Sequence, residues 1–271
     1  MHSLLVSGKS LIILGLLVLC GQGFSQVKIG EAIAPPQHFN RVEMPSSGFV
    51  SSLRDLTIYP DRELIAGDGT TVLCSENIVA ATDNAPFEQS SDVGVDGVLR
   101  LWGDYLWNHG NRKSISFPMD NGQIALWEDW RMGMRPKKSG GKYIFTQVTT
   151  PDGSRSNYEH YLAFVAEQMG AIALQRESEI VVDDSVHVGD LIVSLRSNKQ
   201  SWVGLILDMC KGPRGEKLFL VGTSGAPATT FYVMRPYSPV QGLNEWFTLE
   251  GAKWAIGDGA KVYMRRVRLE L

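Results

Sequence analysis

The second half of the chain limits the possible folds most strongly, because short apolar segments follow one another there without a long helical pattern between them. After Arg176 the segments with strand composition are "DLIVSL", "WVGLILDM", "KLFLVG", "TTFYVMR" and, near the end, "KVYMRRVRLEL". The sequence "KGPRGE" separates the second segment from the third, and its glycines and proline are typical of a hairpin turn. This half therefore predicts a mainly antiparallel sheet.

The first half shows helical periodicity instead. The clearest helix is predicted in "VGVDGVLRLWGDYLWNHG", with Asp92 as its N-cap, Gly110 as its end, and a buried face of Val95, Val98, Leu99, Trp102 and Leu106. A second helical segment, "ALWEDWRMGMRP", is predicted to begin beyond Gly122 and to stop at Pro136. A third, "SNYEHYLAFVAEQMGAIAL", is predicted to be capped by Ser156 or Asn157.

Two smaller elements are predicted upstream. Phe49, Leu53 and Leu56 have helical spacing and predict a short helix that ends before Pro60. The segment "TTVLC" predicts one strand in a region interrupted by Gly67 and Gly69. Helices first and a mainly antiparallel sheet second is the order of an α+β fold.

The N-terminus predicts a secreted or periplasmic protein. Lys9 precedes the apolar run "LIILGLLVLC", and Gly23 and Ser25 are small residues of the kind found at a cleavage site, so residues 1–25 are predicted to be a signal peptide. The run is shorter than the roughly 20 apolar residues that a membrane span needs, so no span is expected after cleavage. Residues 26–47 then predict an N-terminal arm, and residues 48–271 a single α+β domain.

Charge and cysteine content exclude several classes of partner and site. The formal net charge of −3 gives no indication of nucleic-acid binding or of attraction to an anionic membrane. Beyond the signal, Cys74 and Cys210 could form a disulfide in an oxidising compartment or remain two thiols. Neither has zinc-ligand spacing, and no metal or cofactor is predicted.

Several residues are candidates for chemistry, each with a structural alternative. His187 precedes a turn that contains Asp190, which could orient its imidazole or simply belong to a solvated loop. Arg131 and Arg135, four residues apart on one predicted helix face, could clamp a carboxylate or phosphate, or form a salt bridge with Asp104 or Glu128. Ser224 lacks the Gly-x-Ser-x-Gly pattern of a nucleophile elbow and is interpreted as part of a turn.

Tryptophan is frequent, and the seven tryptophans have two interpretations. In the cell envelope they could stack on saccharides of peptidoglycan or other glycans. At Trp102 and Trp130 the apolar neighbours favour packing in the core instead.

Six phrases, in order, resemble the secreted bacterial family called domain of unknown function 4846. They are "GFVSSLRDL", "VLRLWGDYLW", "ISFPMDNGQIALWEDWRMGMRP", "NYEHYLAFV", "VGDLIVSL" and "VGLILDMCKGPRGEKLFLVG", and together they extend from Gly48 to Phe247. The resemblance implies a cysteine at the start of the helix that contains Asp96, and a Gly-His pair at the start of the strand that follows the Gly-Asp turn. A thiol at a helix N-terminus facing an imidazole is the arrangement of papain-like and NlpC-like hydrolases, so such a fold is expected.

This chain departs from that pattern at both reactive positions. Gly94 occupies the cysteine position, while Ser201 and Trp202 occupy the Gly-His positions, and neither glycine nor indole can act as nucleophile or base. The resemblance also assigns a role in maintaining the fold to several matching residues, namely Arg100, Trp130, Gly133, Arg135, Asp190 and Asp208.

The main hypothesis is a catalytically silent domain that binds an envelope or extracellular ligand, such as a peptidoglycan fragment or glycan, through a cleft at Trp202. Other residues expected to contribute to binding are Asp96, Arg131, Arg135, His187 and Asp190. The alternatives are a hydrolase that uses His187 with Asp190 or another site without cysteine, and a structural envelope protein. The dyad assignment requires Gly94 and Trp202 to lie within about 10 Å of each other, because a nucleophile and its base must reach hydrogen-bonding distance.

Overall fold

The computed structural model describes residues 26–60, 63–72, 76–89, 92–110, 112–195, 201–225, 228–237 and 242–267. The helices in these ranges are α1 (Ile29–Ala32), α2 (Phe49–Arg54), α3 (Val95–His109), α4 (Trp127–Arg131), α5 (Arg155–Gln168), α6 (Ala171–Arg176) and α7 (Leu249–Gly257). The predicted signal peptide and Cys74 lie outside the described residues.

The strands of the first half are short. They are β1 (Val27–Lys28), β2 (Asn40–Arg41), β3 (Thr57–Ile58), β4 (Leu64–Ile65), β5 (Thr71–Val72), β6 (Ile78–Ala81), β7 (Ser116–Pro118), β8 (Ile124–Leu126), β9 (Met134–Ser139) and β10 (Lys142–Gln147). Four antiparallel pairs, β1–β3, β4–β5, β7–β8 and β9–β10, form small separate sheets.

The second half supplies most of one large sheet, as the sequence predicts. Its strands are β11 (Ser178–Ile180), β12 (Leu191–Ser194), β13 (Trp202–Lys211), β14 (Lys217–Thr223), β15 (Tyr232–Met234) and β16 (Val262–Val267). The order is β11-β16-β12-β13-β14-β15-β6, every pairing is antiparallel, and β2 pairs with the last two residues of β13. The fold is therefore α+β with a mainly antiparallel sheet, and "KGPRGE" forms the predicted hairpin between β13 and β14.

Strand β13 is the centre of this sheet, and helices cover both of its faces. Residues 203–210 are all buried. The Cβ position of Gly204 lies 2.8 Å from Ile256 in α7. Gly222 is paired with Leu205, so its Cβ position points to the other face of the sheet. On that face Phe231 lies against the Cβ positions of both Gly222 and Gly97, and Gly97 belongs to α3. Helices α3 and α7 therefore pack on opposite faces.

Residues 26–47, predicted as an arm, contribute to this packing. Ile29 and Ile33 are buried in the core, and β2 pairs with the end of β13. The short predicted helix near Phe49 ends at Arg54, so Leu56 lies beyond it.

The second predicted helix is wrong over most of its length. Helix α4 ends at Arg131, and Met134–Ser139 forms a hairpin strand in which Pro136 is paired with Phe145. The cause is Gly133, whose φ of +92° turns the chain and whose Cβ position is 1.9 Å from the carbonyl oxygen of Thr149. A helix cannot continue through that conformation.

The predicted caps are also wrong. Gly94, in the left-handed conformation, is the N-cap of α3, while the Asp92 carboxylate accepts hydrogen bonds from the backbone amides of Ala171 (2.7 Å) and Ser201 (2.9 Å). Helix α5 is capped by Ser154, whose Oγ accepts from the amide of Asn157. Asp92 therefore makes tertiary contacts instead of capping α3, and the cap of α5 lies upstream of the two predicted residues.

Candidate functional site

Gly94 and Trp202 lie on adjacent stretches of backbone. The Val93 amide donates to the carbonyl oxygen of Ser201 (3.0 Å), and the Val203 amide donates to the carbonyl oxygen of Val93 (2.9 Å). This parallel bridge holds the start of α3 against the first residues of β13. The structure thus brings together the two positions that the family resemblance selects.

Position 94, however, has no room for a side chain. A Cβ atom on Gly94 would lie 1.9 Å from the carbonyl oxygen of Val203 and 2.6 Å from Thr223 Oγ1. The φ angle of +82° adds a conformation that L-residues rarely adopt. In this backbone, therefore, a cysteine cannot occupy the predicted nucleophile position.

Trp202 instead contributes to a groove on the α7 side of the sheet. Because side chains alternate along a strand, Trp202 is on the same face as Gly204 and hence on the face covered by α7. The groove has a volume of about 310 Å³ and is lined by Trp202, Tyr237, Trp254, Ala255 and Asp258. We call it the aromatic groove.

The aromatic groove continues beyond Tyr237 and Trp254 into a second depression of about 250 Å³, whose lining includes Pro236 and Phe247. Tyr237 and Trp254 meet edge to face, with ring centroids 5.9 Å apart. Their side chains are 53% and 59% exposed, whereas Trp202 is half-buried against the core. Large aromatic faces in a concave site offer substantial contact area to a ligand.

Asp96 is a buried structural carboxylate that lines only a small cavity of about 10 Å³ and neither of the larger clefts. Ser224 Oγ donates to Asp96 Oδ1 (2.5 Å) and accepts from the amide of Gly97 (3.2 Å), which links the first turn of α3 to the end of β14. Burial raises the pKa of Asp96 to about 6, against the opposing effect of the Ser224 hydrogen bond. Since Ser224 is fully buried and its proton is directed to Asp96, a structural role fits it better than that of a nucleophile.

His187 and Asp190 lie close together, but their contact is not that of a catalytic pair. Asp190 accepts from the backbone amide of His187 (2.8 Å) and from two nitrogens of Arg266 (both 2.7 Å). Partial burial, followed by the charges of Arg266 and Lys217, lowers the pKa of His187. The carboxylate thus holds the turn and the guanidinium of Arg266, and among the described residues no hydrogen bond orients the imidazole.

Arg131 and Arg135 do not share a helix face, because α4 ends at Arg131. Arg131 makes a two-point hydrogen bond with Glu128 (both 2.5 Å), which is one of the salt bridges predicted as the alternative. Arg135 lies over the Trp130 ring at 4.4 Å and donates to Asn157 Oδ1 (2.9 Å). Both guanidiniums are used within the fold, and Trp130 is buried as predicted.

Asp208, at the far end of β13, is held by two arginines. It is fully buried, and it accepts from Arg41 Nε (2.7 Å) and Arg54 Nη2 (2.6 Å). Arg41 belongs to β2 and Arg54 to α2, so one carboxylate ties both elements to the sheet.

Within the described ranges, no group of three or more His, Cys, Asp or Glu side chains could hold a metal ion. Cys210 is a buried free cysteine, and burial raises the pKa of its thiol to about 12, which makes the thiolate scarce at neutral pH. No helix in the described part of the chain is both long and apolar enough to cross a membrane.

Of the five residues that line the aromatic groove, sequence reasoning predicted only Trp202 and missed the two other aromatic ones. Among the seven tryptophans, Trp254 receives no individual role from the sequence, and Tyr237 is not singled out. No local pattern marks either of them, because Trp254 lies on α7 and Tyr237 in the segment after β15, and only the tertiary structure brings both to the groove.

Comparison with protein families gave a match that covers most of the chain. The model described as "Domain of unknown function (4846)" matches residues 29–257. Comparison with curated proteins and with solved structures gave no match.

Proposed function

The chain belongs to the family of domain of unknown function (4846), and from that premise we propose that it is a catalytically silent domain that binds a cell-envelope or extracellular ligand. The observation that carries this proposal is the aromatic groove, in which Trp202, Tyr237 and Trp254 converge on one concavity. Aromatic faces of this size bind apolar faces of sugar rings and of peptide side chains. A peptidoglycan fragment or another glycan is the proposed class of ligand.

The same positions argue against a hydrolase. Gly94 supplies no nucleophile, and the indole of Trp202 supplies no base at neutral pH. Loss of both members of a catalytic pair removes several orders of magnitude of rate. Asp190, the expected partner of His187 in the alternative hydrolase, is instead bound to Arg266.

A papain-like or NlpC-like lineage remains part of the proposal. Its support is the position of α3, which begins beside the first residues of β13 and is hydrogen-bonded to the end of β14 through Asp96 and Ser224. A helix N-terminus placed at a sheet in this manner is where such hydrolases carry their thiol. Secretion to the periplasm or beyond rests on the signal sequence predicted in residues 1–25.

Tryptophan fluorescence tests the binding proposal. A muropeptide digest of peptidoglycan, titrated into the purified protein, should change the emission of the wild type. Trp254→Ala, a change at a largely exposed side chain, should remove most of that change without affecting folding. Trp202→Ala should weaken binding as well, although it also removes contacts with the core.

Val182→Ala serves as the matched control, because Val182 is 66% exposed and does not line the aromatic groove. Equal fluorescence changes in wild type and Trp254→Ala, or none in either, would count against the proposal and would favour a structural envelope protein. In a separate assay the protein should leave cell-wall peptides intact. Turnover that disappears in His187→Ala would support the hydrolase alternative instead.

A further inference from the structure

A larger cleft lies between α2 and α3, on the face of the sheet opposite to α7. It has a volume of about 680 Å³, within the usual range of ligand sites. One stripe of α3 lines it, with residues spaced at one and two helical turns: Leu101, Asp104, Tyr105, Asn108 and His109. We call it the α2–α3 cleft.

The two helices face each other across this cleft with polar side chains. The helices contact each other through the rings of Phe49 and Tyr105, which meet edge to face at 5.6 Å. Beyond that contact Ser51 and Ser52 of α2 face the polar stripe of α3. Since helices normally pack through apolar side chains, this pair leaves an open polar concavity where a closed apolar contact is usual.

The α2–α3 cleft presents many hydrogen-bond acceptors beside the amide groups of Asn84 and Asn108. The hydroxyls of Ser51 and Ser52 donate to backbone carbonyls of their own helix segment, at 2.7 and 2.6 Å, so their oxygen lone pairs remain for a ligand. The carboxylates of Asp55, Asp83 and Asp104 add further acceptor sites. A complementary ligand must therefore carry several donors.

The charges of the α2–α3 cleft favour neutral donors over a cation. Asp55 already pairs with Lys28 (3.1 Å), and Asp104 accepts from Arg155 and from Asn84 Nδ2 (2.7 Å). Two of the three carboxylates are already paired with cations of the protein. The lone pairs that remain on these two carboxylates can accept hydrogen bonds from hydroxyl groups.

The α2–α3 cleft is also lined by two aromatic rings. Tyr105 and His109, one turn apart on α3, stack with ring centroids 4.8 Å apart and planes inclined by 17°. An aromatic face beside carboxylate and amide groups is the combination that a pyranose ring requires, because the ring has one C–H face and a rim of hydroxyl donors.

We propose that the α2–α3 cleft is a second binding site, separate from the aromatic groove, and that it takes a neutral saccharide. The acceptor-rich walls would bind the hydroxyls, and the Tyr105–His109 pair would support the face of one ring. This site does not depend on the aromatic groove, because the two are lined by different helices on opposite faces of the sheet.

Isothermal titration calorimetry tests the site with two saccharide probes, triacetylchitotriose and maltotriose, and with spermidine as a cationic probe. We expect at least one trisaccharide to bind with a Kd on the order of 1 mM. Asp83→Ala should weaken this binding roughly tenfold, because it removes a charged acceptor from an exposed position where folding is not at risk. Tyr105→Leu should weaken it as well by removing the aromatic face.

Trp254→Ala is the control, since Trp254 belongs to the aromatic groove. Saccharide binding lost in Asp83→Ala and kept in Trp254→Ala supports the proposal. Binding lost in Trp254→Ala and kept in Asp83→Ala overturns it and assigns the saccharide to the aromatic groove. Binding of spermidine alone, or of no probe, also overturns it, and neither outcome affects the fluorescence test of the aromatic groove.

Discussion

The two ends of β13 differ in how their prominent side chains are used. At the C-terminal end Asp208 is fully buried and held by Arg41 and Arg54. At the N-terminal end Trp202 faces an open groove beside Trp254, which is 59% exposed. The C-terminal end therefore stabilises the fold through buried ion pairs, whereas the N-terminal end has aromatic side chains exposed to solvent.

This difference shows which residues are available for function. A carboxylate whose lone pairs are filled by two guanidiniums has little capacity left for a ligand. Exposed aromatic side chains contribute less to the core, so their surface remains accessible in the groove. We therefore expect changes at the Asp208 end to affect stability, and changes at the Trp254 side of the groove to affect binding.

The largest effect is expected from Asp208→Ala. Removal of the carboxylate leaves two guanidiniums, each about one-quarter exposed or less, without their shared partner, and it frees β2 and α2 from the sheet. We expect a loss of about 4 kcal/mol in the free energy of unfolding, measured by urea denaturation. Asp55→Ala, which breaks the exposed pair with Lys28, should cost less than about 1 kcal/mol. Equal losses in both variants would contradict the comparison.

The next effect concerns Gly94, at the N-terminal end of β13. Gly94→Ala combines a positive φ with a Cβ position 1.9 Å from a carbonyl oxygen, and should cost about 3 kcal/mol. Gly69→Ala is a matched control, because Gly69 has the same φ of +82° and nothing within 4 Å of its Cβ position. It should cost only about 1 kcal/mol. If the two substitutions cost the same, position 94 has room for a side chain and the silent-enzyme argument loses its geometric basis.

A third prediction compares two buried carboxylates. The Asp96 carboxylate accepts a hydrogen bond from a serine hydroxyl, whereas the Asp208 carboxylate is paired with two arginines. Burial raises the pKa of Asp96 from 3.8 to about 6. Because the folded state binds this proton more tightly than the unfolded state, stability should fall as pH rises from about 4 to about 6, and then level off. The loss should be at most about 3 kcal/mol.

Asp96→Asn should remove this fall in stability, because the amide oxygen can still accept from Ser224 and does not ionise. Urea denaturation at a series of pH values provides the measurement. A wild-type curve that rises through this range, or one that Asp96→Asn leaves unchanged, would show that another group dominates.

The smallest effect on stability is expected at the aromatic groove. Trp254→Ala should change the free energy of unfolding by less than about 1 kcal/mol, because most of the side chain is already exposed. A loss comparable to that of Asp208→Ala, measured in the same urea experiment, would show that both ends of β13 serve the fold and would remove the distinction drawn above.

The fold was largely predictable from local patterns. The apolar segments after Arg176 and the turn "KGPRGE" predict the β13–β14 hairpin, and helix α3 begins and ends within a few residues of its predicted bounds. Periodicity succeeded because burial of one face is imposed on each element separately. Periodicity failed at Gly133, because the positive φ of this glycine ends the helix and places its backbone against the carbonyl of Thr149.

The candidate site was less predictable. The family resemblance selected Gly94 and Trp202, and the structure places them on adjacent stretches of backbone. The sequence could not show that position 94 is closed to any side chain, because the obstruction comes from Val203 and Thr223, more than a hundred residues away. Proximity in the sequence suggested that Asp190 could orient the imidazole of His187, whereas both carboxylate oxygens of Asp190 accept hydrogen bonds from Arg266.

The sequence by itself determined the kinds of element and their order, because turn chemistry and apolar period act within a few residues. It also determined that positions 94 and 202 carry glycine and tryptophan, neither of which can act as a nucleophile or a base at neutral pH. Only the tertiary structure decided which side chains remain available. Whether a carboxylate meets arginine or serine, and whether three aromatic rings meet in one groove, depends on contacts between residues far apart in the chain.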